Sequence, residues 1–194
     1  IYASRNAKGA ITIAGISIDS GTSDYSAENW LFAQDAIEVN KVKLIWDDQL
    51  NKKTPATVEI LNLSLNNGIR SHEGSLTTTT PWTKGTTQIK VDFVHHLGGQ
   101  AGNWHDWIGT ISWNLTDLDL KQIAKDFKLG LSSLEGVLSS KGKIKIDNAK
   151  PDGGEFFIAV DGLEVQSSKS EDAIALGRLE ANLLQETNDG LISI

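Results

Sequence analysis

The sequence predicts a mainly β fold: a long antiparallel, one-sided, twisted sheet with two short helices. Three observations lead there. Apolar residues recur at every second position through most of the chain, the period of a strand with one buried and one wet face. Turn signals separate these runs, at Asn66-Asn67-Gly68, Gly98-Gly99, Pro151-Asp152-Gly153-Gly154 and Asn188-Asp189-Gly190. Only two stretches carry a helical period.

Taken in order, Ile11-Thr12-Ile13 and Ile16-Ser17-Ile18 alternate, with a phase shift at Ala14-Gly15 that suggests a bulge. Asp24 to Gln34 reads as a short helix, with Asp24 or Ser26 as its N-cap ahead of Trp30, Leu31 and Ala33. Ile37-Glu38-Val39 and Val42-Lys43-Leu44-Ile45-Trp46 alternate again, shifting phase at Asn40-Lys41. Val58 to Leu65, Ile69 to Thr78, Gln88 to Val94 and Trp107 to Leu115 read as strands. Leu120, Ile123, Ala124 and Phe127 fall at i, i+3, i+4 and i+7 behind Asp119, which can cap them, so a second helix follows. Lys141 to Ile146, Glu155 to Val165, Leu179 to Gln185 and Leu191 to Ile194 complete the strands. A loose motif recurs at irregular spacing: two alternating apolar residues, an Asn or Asp, then two more. Its copies are Ile37 to Leu44, Val58 to Leu65 and Ile158 to Val165. It describes a long strand with a polar kink at its middle; at ~9 to 10 residues such a strand spans roughly 30 Å.

Composition bounds the function. The 194 residues are 39% apolar and 22% charged, ordinary for a folded chain, and predict one β-rich segment over 1–194. Eighteen Lys/Arg against 25 Asp/Glu give a net charge of −7, which argues against a nucleic-acid partner. Lys141, Lys143 and Lys145 alternate and so form one solvated strand face. Without cysteine there is neither a disulfide framework nor a thiolate metal site. The first residue is Ile1 and the chain stops within an apolar alternation, so the sequence reads as a piece of a longer protein.

Several groups resemble chemistry. Ile16 to Ser23 reads like an aspartic-protease loop around Asp19, with Ile174-Ala175-Leu176-Gly177-Arg178 as a companion. The companion lies too far along the chain for one lobe, and a strand followed by a Ser/Gly/Thr turn has the same spelling. Asp19 is therefore expected to be non-catalytic. His95, His96, His105 and Asp106 could serve zinc, but adjacent strand histidines point to opposite faces. Trp82, Trp104, Trp107 and Trp113 could stack on sugars, as in carbohydrate-binding β-sandwiches; Trp107, Ile111, Trp113 and Leu115 are also largely in phase for an apolar sheet face. Asp47-Asp48 reads as a polar turn and Asp119 as a helix cap rather than acid/base pairs. No phosphate loop, nucleophile elbow or zincin motif occurs. No enzyme, cofactor or metal is expected.

The order of the elements resembles a known family. Asn29-Trp30-Leu31-Phe32-Ala33-Gln34, then Ile37-Glu38-Val39 and Leu44-Ile45-Trp46-Asp47-Asp48, is similar to the N-proximal region of the YhdP family of AsmA-like bacterial envelope proteins. Pro55, the run Val58 to Gly68, and Arg70-Ser71-His72 resemble that family's strand, Asn-Gly hairpin and basic-His restart. Trp107-Ile108-Gly109 through Leu120 resembles its Trp-x-Gly strand and Asp-Leu exit into a helix, although Ile123 stands where a Trp is expected. Leu134 to Ile146 and Glu155 to Val165 resemble its next hairpin. The likeness spans about residues 10 to 194 and rests on the order and spacing of these motifs.

The resemblance implies a periplasmic segment of a Gram-negative protein anchored in the inner membrane, with no catalytic residues. It implies a curled β-groove that carries phospholipid acyl chains between inner and outer membranes and maintains the outer-membrane permeability barrier. The partners would be acyl chains and flanking segments of the same chain, with membrane contact through other parts of the parent. The lining would be Ile37, Val39, Val58, Ile60, Ile89, Val91, Phe93, Ile111, Trp113, Leu115, Ile158 and Val160. The alternative is a carbohydrate-binding or adhesin-like β-sandwich, in which the same residues close into a dry core.

Overall fold

Long amphipathic strands joined by short turns pair with their sequence neighbours, and that rule builds nearly all of this molecule. The structure, a computed structural model, describes residues 1–18, 26–51, 55–127, 131–167, 173–185 and 192–193. The strands are β1 (Tyr2–Arg5), β2 (Ile11–Ile13), β3 (Ile16–Ile18), β4 (Ala36–Asp48), β5 (Ala56–Asn67), β6 (Ser71–Thr79) and β7 (Thr87–Val94). They continue as β8 (Ile108–Asp119), β9 (Leu131–Asp147), β10 (Lys150–Ser167), β11 (Ala173–Gln185) and β12 (Ile192–Ser193). Helix α1 (Ser26–Phe32) precedes β4, and α2 (Leu120–Phe127) follows β8.

All twelve strands lie in one sheet, in the order β12-β11-β10-β9-β8-β7-β6-β5-β4-β1-β2-β3. From β4 to β12 the chain is a plain antiparallel meander. The antiparallel expectation fails at one ladder: β1, which the alternation did not reveal, runs parallel to β4. There Arg5 sits in register with Asp48, and its Nε donates to Asp48 Oδ1 at 3.0 Å. Tyr2 Oη donates to Asp47 Oδ2 at 2.6 Å. Asp47 and Asp48 thus end β4 and fasten β1, instead of forming a turn.

Two turn assignments change for one reason. A hairpin of two left-handed residues matches the twist of its strands, and non-glycine residues can supply it. Ala14 and Gly15, with φ of 51° and 85°, are such a hairpin between the paired Ile13 and Ile16, not a bulge. Asn148 and Ala149, at 49° and 59°, turn β9 into β10. Pro151 to Gly154, expected as that turn, lies inside β10 as a register shift. The β5–β6 turn sits at Gly68, whose N–H donates to Ser71 O at 2.7 Å, just after Asn66-Asn67.

The recurring polar kink is a local crease in individual long strands, while β6 and β7 pair without a shift. Lys41 in β4 has φ of 54°, Asp117 in β8 has 55° and Gly162 in β10 has 62°. Register shifts accompany these residues, between Ile60 and Asn62 in β5 opposite Lys41, Leu115 and Leu118 in β8, and Asp161 and Glu164 in β10. A left-handed residue flips the alternation. Ile37 and Val39 before the crease, and Val42, Leu44 and Trp46 after it, therefore all stay half-buried, while Asn40 and Lys41 face water.

Helix α1 ends at Phe32, short of the expected Gln34, and Asp24, with Asp19 to Ser23 of the protease-like segment, lies outside the described residues. Helix α2 spans the expected residues, and Asp119 caps it, its Oδ1 accepting from Gln122 N–H at 3.0 Å.

Candidate functional site

Residues opposite one another in an antiparallel ladder share a face, so register alone decides which side chains meet. One row runs Val39–Leu63–Leu76–Ile89–Trp113–Gly142–Phe156–Leu183 across eight strands. Beside it lies Ile37–Leu65–Gly74–Val91–Ile111–Ile144. On the other side lies Val42–Ile60–Thr78–Thr87–Leu115–Ser140–Ile158–Ala181. Val58, Phe93 and Val160 extend these rows two residues further along their strands. All twelve candidate lining residues thus fall on one side of the sheet.

The other side is polar. There the row reads Glu38–Ser64–Ser75–Lys90–Ser112–Lys143–Glu155. A concavity of about 490 Å³ borders this side at Ser75, Lys90 and Lys143, and one of about 730 Å³ is lined both by Lys141, Glu155 and Phe157 of this side and by Trp113, Gly142, Phe156 and Leu183 of the apolar row. Their volume is greater, but their linings mix charged, polar and apolar groups. The apolar side is the candidate site because apolar side chains dominate its rows, with Thr78, Thr87 and Ser140 as the polar members.

That apolar side is not a dry core. Among the described residues the buried apolar side chains are Ala3, Phe93, Ala159 and Val160. Ile111, at the middle of its row, is 39% exposed, and the other lining residues apart from Phe93 and Val160 are half-buried. A second packed layer would bury them, and the described residues form a single sheet. Its edges, β12 and β3, do not pair, so it is open.

Each helix covers one margin. Phe32 of α1 packs edge-on against His72 at 5.0 Å and against Phe93 and Trp107 at 5.6 Å between ring centroids. Trp107 lies flat on Phe93, centroids 3.6 Å apart. An apolar cleft of about 270 Å³ remains beside α1, between Leu31, Phe32, Ile37, Leu76, Ile89 and Phe93. At the opposite margin α2 leaves β8 and packs on β9, with Lys121 paired to Glu135. Between the helices Trp113 lies over Gly142 and donates from Nε1 to Ser140 Oγ at 3.0 Å. A Cβ on Gly142 would sit 2.6 Å from the indole, so only glycine leaves room for it.

The histidines do not gather. His95 is buried and its Nδ1 lies 3.0 Å from His96 O, whereas His105 stacks on Trp104 with centroids 3.9 Å apart. Among the described residues no three His, Asp or Glu side chains come together as metal ligands would. Three tryptophans have their indole N–H engaged: Trp82 with Asp126, Trp107 with Ala101 O and Trp113 with Ser140. Trp104 is 51% exposed.

Sequence reasoning missed His72. It is 1% exposed and stacks between Phe93 and His95, with centroids 5.0 and 5.4 Å away. Its in-phase position opposite Phe93 was the available signal, hidden by the habit of placing histidine at the surface. Burial, and secondarily the charge of His95, hold the His72 imidazolium below its ordinary value.

No protein-family profile, no curated protein and no solved structure matches this chain.

Proposed function

We propose that the chain is a non-catalytic segment of a YhdP-type, AsmA-like protein, anchored in the inner membrane and working in the periplasm. Its apolar face lines a path for phospholipid acyl chains between inner and outer membranes and so supports the permeability barrier. One observation carries the reading: an apolar surface crosses eight strands without interruption and remains half-exposed. Such a surface calls for an apolar partner. Acyl chains suit it, because each CH₂ removed from water contributes roughly 0.8 kcal/mol and needs no fixed headgroup contact. Glycines at positions 74 and 142 keep the face low where bulky neighbours cross it. On this reading membrane anchoring belongs to other parts of the parent protein; no described helix is long and apolar enough to cross a bilayer. The single sheet also favours this reading over a carbohydrate-binding sandwich, and of the candidate sugar-stacking residues Trp82, Trp104, Trp107 and Trp113, Trp104 alone is exposed.

Adjacent residues on opposite faces supply the test. Ile111→Asp, in the whole parent protein in cells, places an unpaired charge in the acyl path and should abolish barrier maintenance. Ser112→Asp puts the same charge between Lys90 and Lys143 on the polar face and should be silent. Equal effects of the two changes, with both proteins folded, would remove the case for a lipid-bearing face.

A further inference from the structure

We infer that His72 is a proton-sensitive latch that holds α1 over one margin of the apolar face, and that protonating its ring releases the helix. Its bearing on lipid rests on the function proposed above; the latch itself does not.

The geometry starts at Asn67, the last residue of β5. Its Nδ2 donates to Gln34 O at 2.6 Å and to Leu31 O at 3.3 Å, satisfying carbonyls at the end of α1. Its backbone N–H donates to Asp35 O at 2.9 Å. With the amide nitrogen so committed, Oδ1 faces His72 Nδ1 at 2.8 Å and can only accept. His72 therefore carries its proton on Nδ1. The other nitrogen, Nε2, is buried and has no hydrogen-bond partner among the described residues. Phe32, the last residue of α1, closes the arrangement against the edge of the ring.

A second proton must go to Nε2. There it creates a buried N–H without an acceptor and a charge without a counter-ion. The groups facing the ring offer no relief. Asn67 from β5 and Phe32 from α1 are uncharged, and Phe93 from β7 gives only its ring face, a weak cation partner. His95, just past the end of β7, is the titratable neighbour, and its own charge would repel. The Arg70 guanidinium bonds to His95 O at 3.0 Å and adds another positive charge nearby. Relief comes when Phe32 lifts away and water reaches Nε2. Opening the latch then uncovers Phe93 and widens the cleft beside α1, so acid exposes lining that Phe32 covers at neutral pH.

The chain has no cysteine, so spin labels can be placed at will. One goes on Trp30, exposed on α1, and one on Asn114, exposed on the polar side of β8. Pulsed dipolar distances are measured without lipid at about pH 7.5 and about pH 5, either side of the ordinary imidazole range. The latch predicts one narrow distribution at the higher pH that broadens or lengthens at the lower. His72→Phe keeps the stacking but takes no proton, and should stay narrow at both. His95→Phe removes a repelling neighbour and should move the transition to higher pH without abolishing it. A distribution in the unmodified background that stays narrow at about pH 5 and on down to the onset of acid unfolding would overturn the latch, because burial sets the transition below the ordinary imidazole range. So would equal broadening in folded His72→Phe, or loss of the response in His95→Phe alone. Lipid is absent throughout, so failure here leaves the lipid path to its own test.

Discussion

Gly142→Ala probes how Trp113 crosses the sheet. The added Cβ would lie 2.5 Å from Phe156 Cβ, 2.6 Å from Trp113 Cζ2 and 2.8 Å from Trp113 Cη2. Carbon pairs prefer roughly 3.5–4.0 Å, so both neighbours must retreat by about an ångström. The indole can swing, at the cost of its bond to Ser140 Oγ, but Phe156 Cβ moves only if β10 moves with it. Overpacking of this kind costs about 1–3 kcal/mol. For a chain of this size that corresponds to a Tm lower by about 2–12 °C. Gly177→Ala is the control: an added Cβ there meets nothing within 4 Å, so stability should hold or rise by about 0.4–1 kcal/mol. Calorimetry on both variants reads the difference directly. Trp113→Phe removes the crowding atoms, so its combination with Gly142→Ala should cost less than the sum of the two, by about 0.5 kcal/mol or more. Equal Tm values for the two alanine variants would show that the indole does not lie over β9.

Two further predictions concern the ends of strands. The Arg5 side chain, bonded to Asp48, holds that carboxyl well below the usual carboxylate range, and Asn51 assists against the opposing effect of burial. A depressed native value means the unfolded chain takes the proton first. This contribution is therefore complete above the ordinary carboxylate value of 3.8 and is lost as pH falls toward the native one. Urea unfolding should show Asp48→Asn less stable than the native chain at neutral pH, with the gap closing in acid; parallel pH profiles would contradict this. Asp119→Ala removes the cap of α2 and should cost about 0.5–2 kcal/mol in the same assay. No change would mean the cap bond to Gln122 is not held in solution.

Much of this was legible in the sequence, because a strand's face is written locally. Alternation placed β4 through β11, and the polar kink at Asn40-Lys41 and Asp161-Gly162 marked the crease. What stayed hidden was non-local or disguised. Nothing in Tyr2 to Arg5 announces a parallel partner; the pairing exists because Arg5 meets Asp48, 43 residues away. Asn148-Ala149 lost to Pro151 to Gly154 because proline and glycine are the stronger turn signals, while an alanine at φ 59° leaves no mark in composition. Strands β8 to β10 ran longer than expected since left-handed residues let pairing resume after each break in phase. On the candidate site, alternation chose residues that register then brought to one face. The latch around His72 needed the fold, because Asn67, Phe32 and His95 come from three different segments.

The measurement closest to the central claim is site-specific photo-crosslinking in cells, with probes in the whole parent protein at Phe93, Ile111 and Ile158. Probes at Lys90, Ser112 and Lys143 report on the opposite side of the same strands or their neighbours. The account predicts phospholipid adducts at the first three positions and none at the second three. Adducts on both faces alike, or on neither, would contradict it.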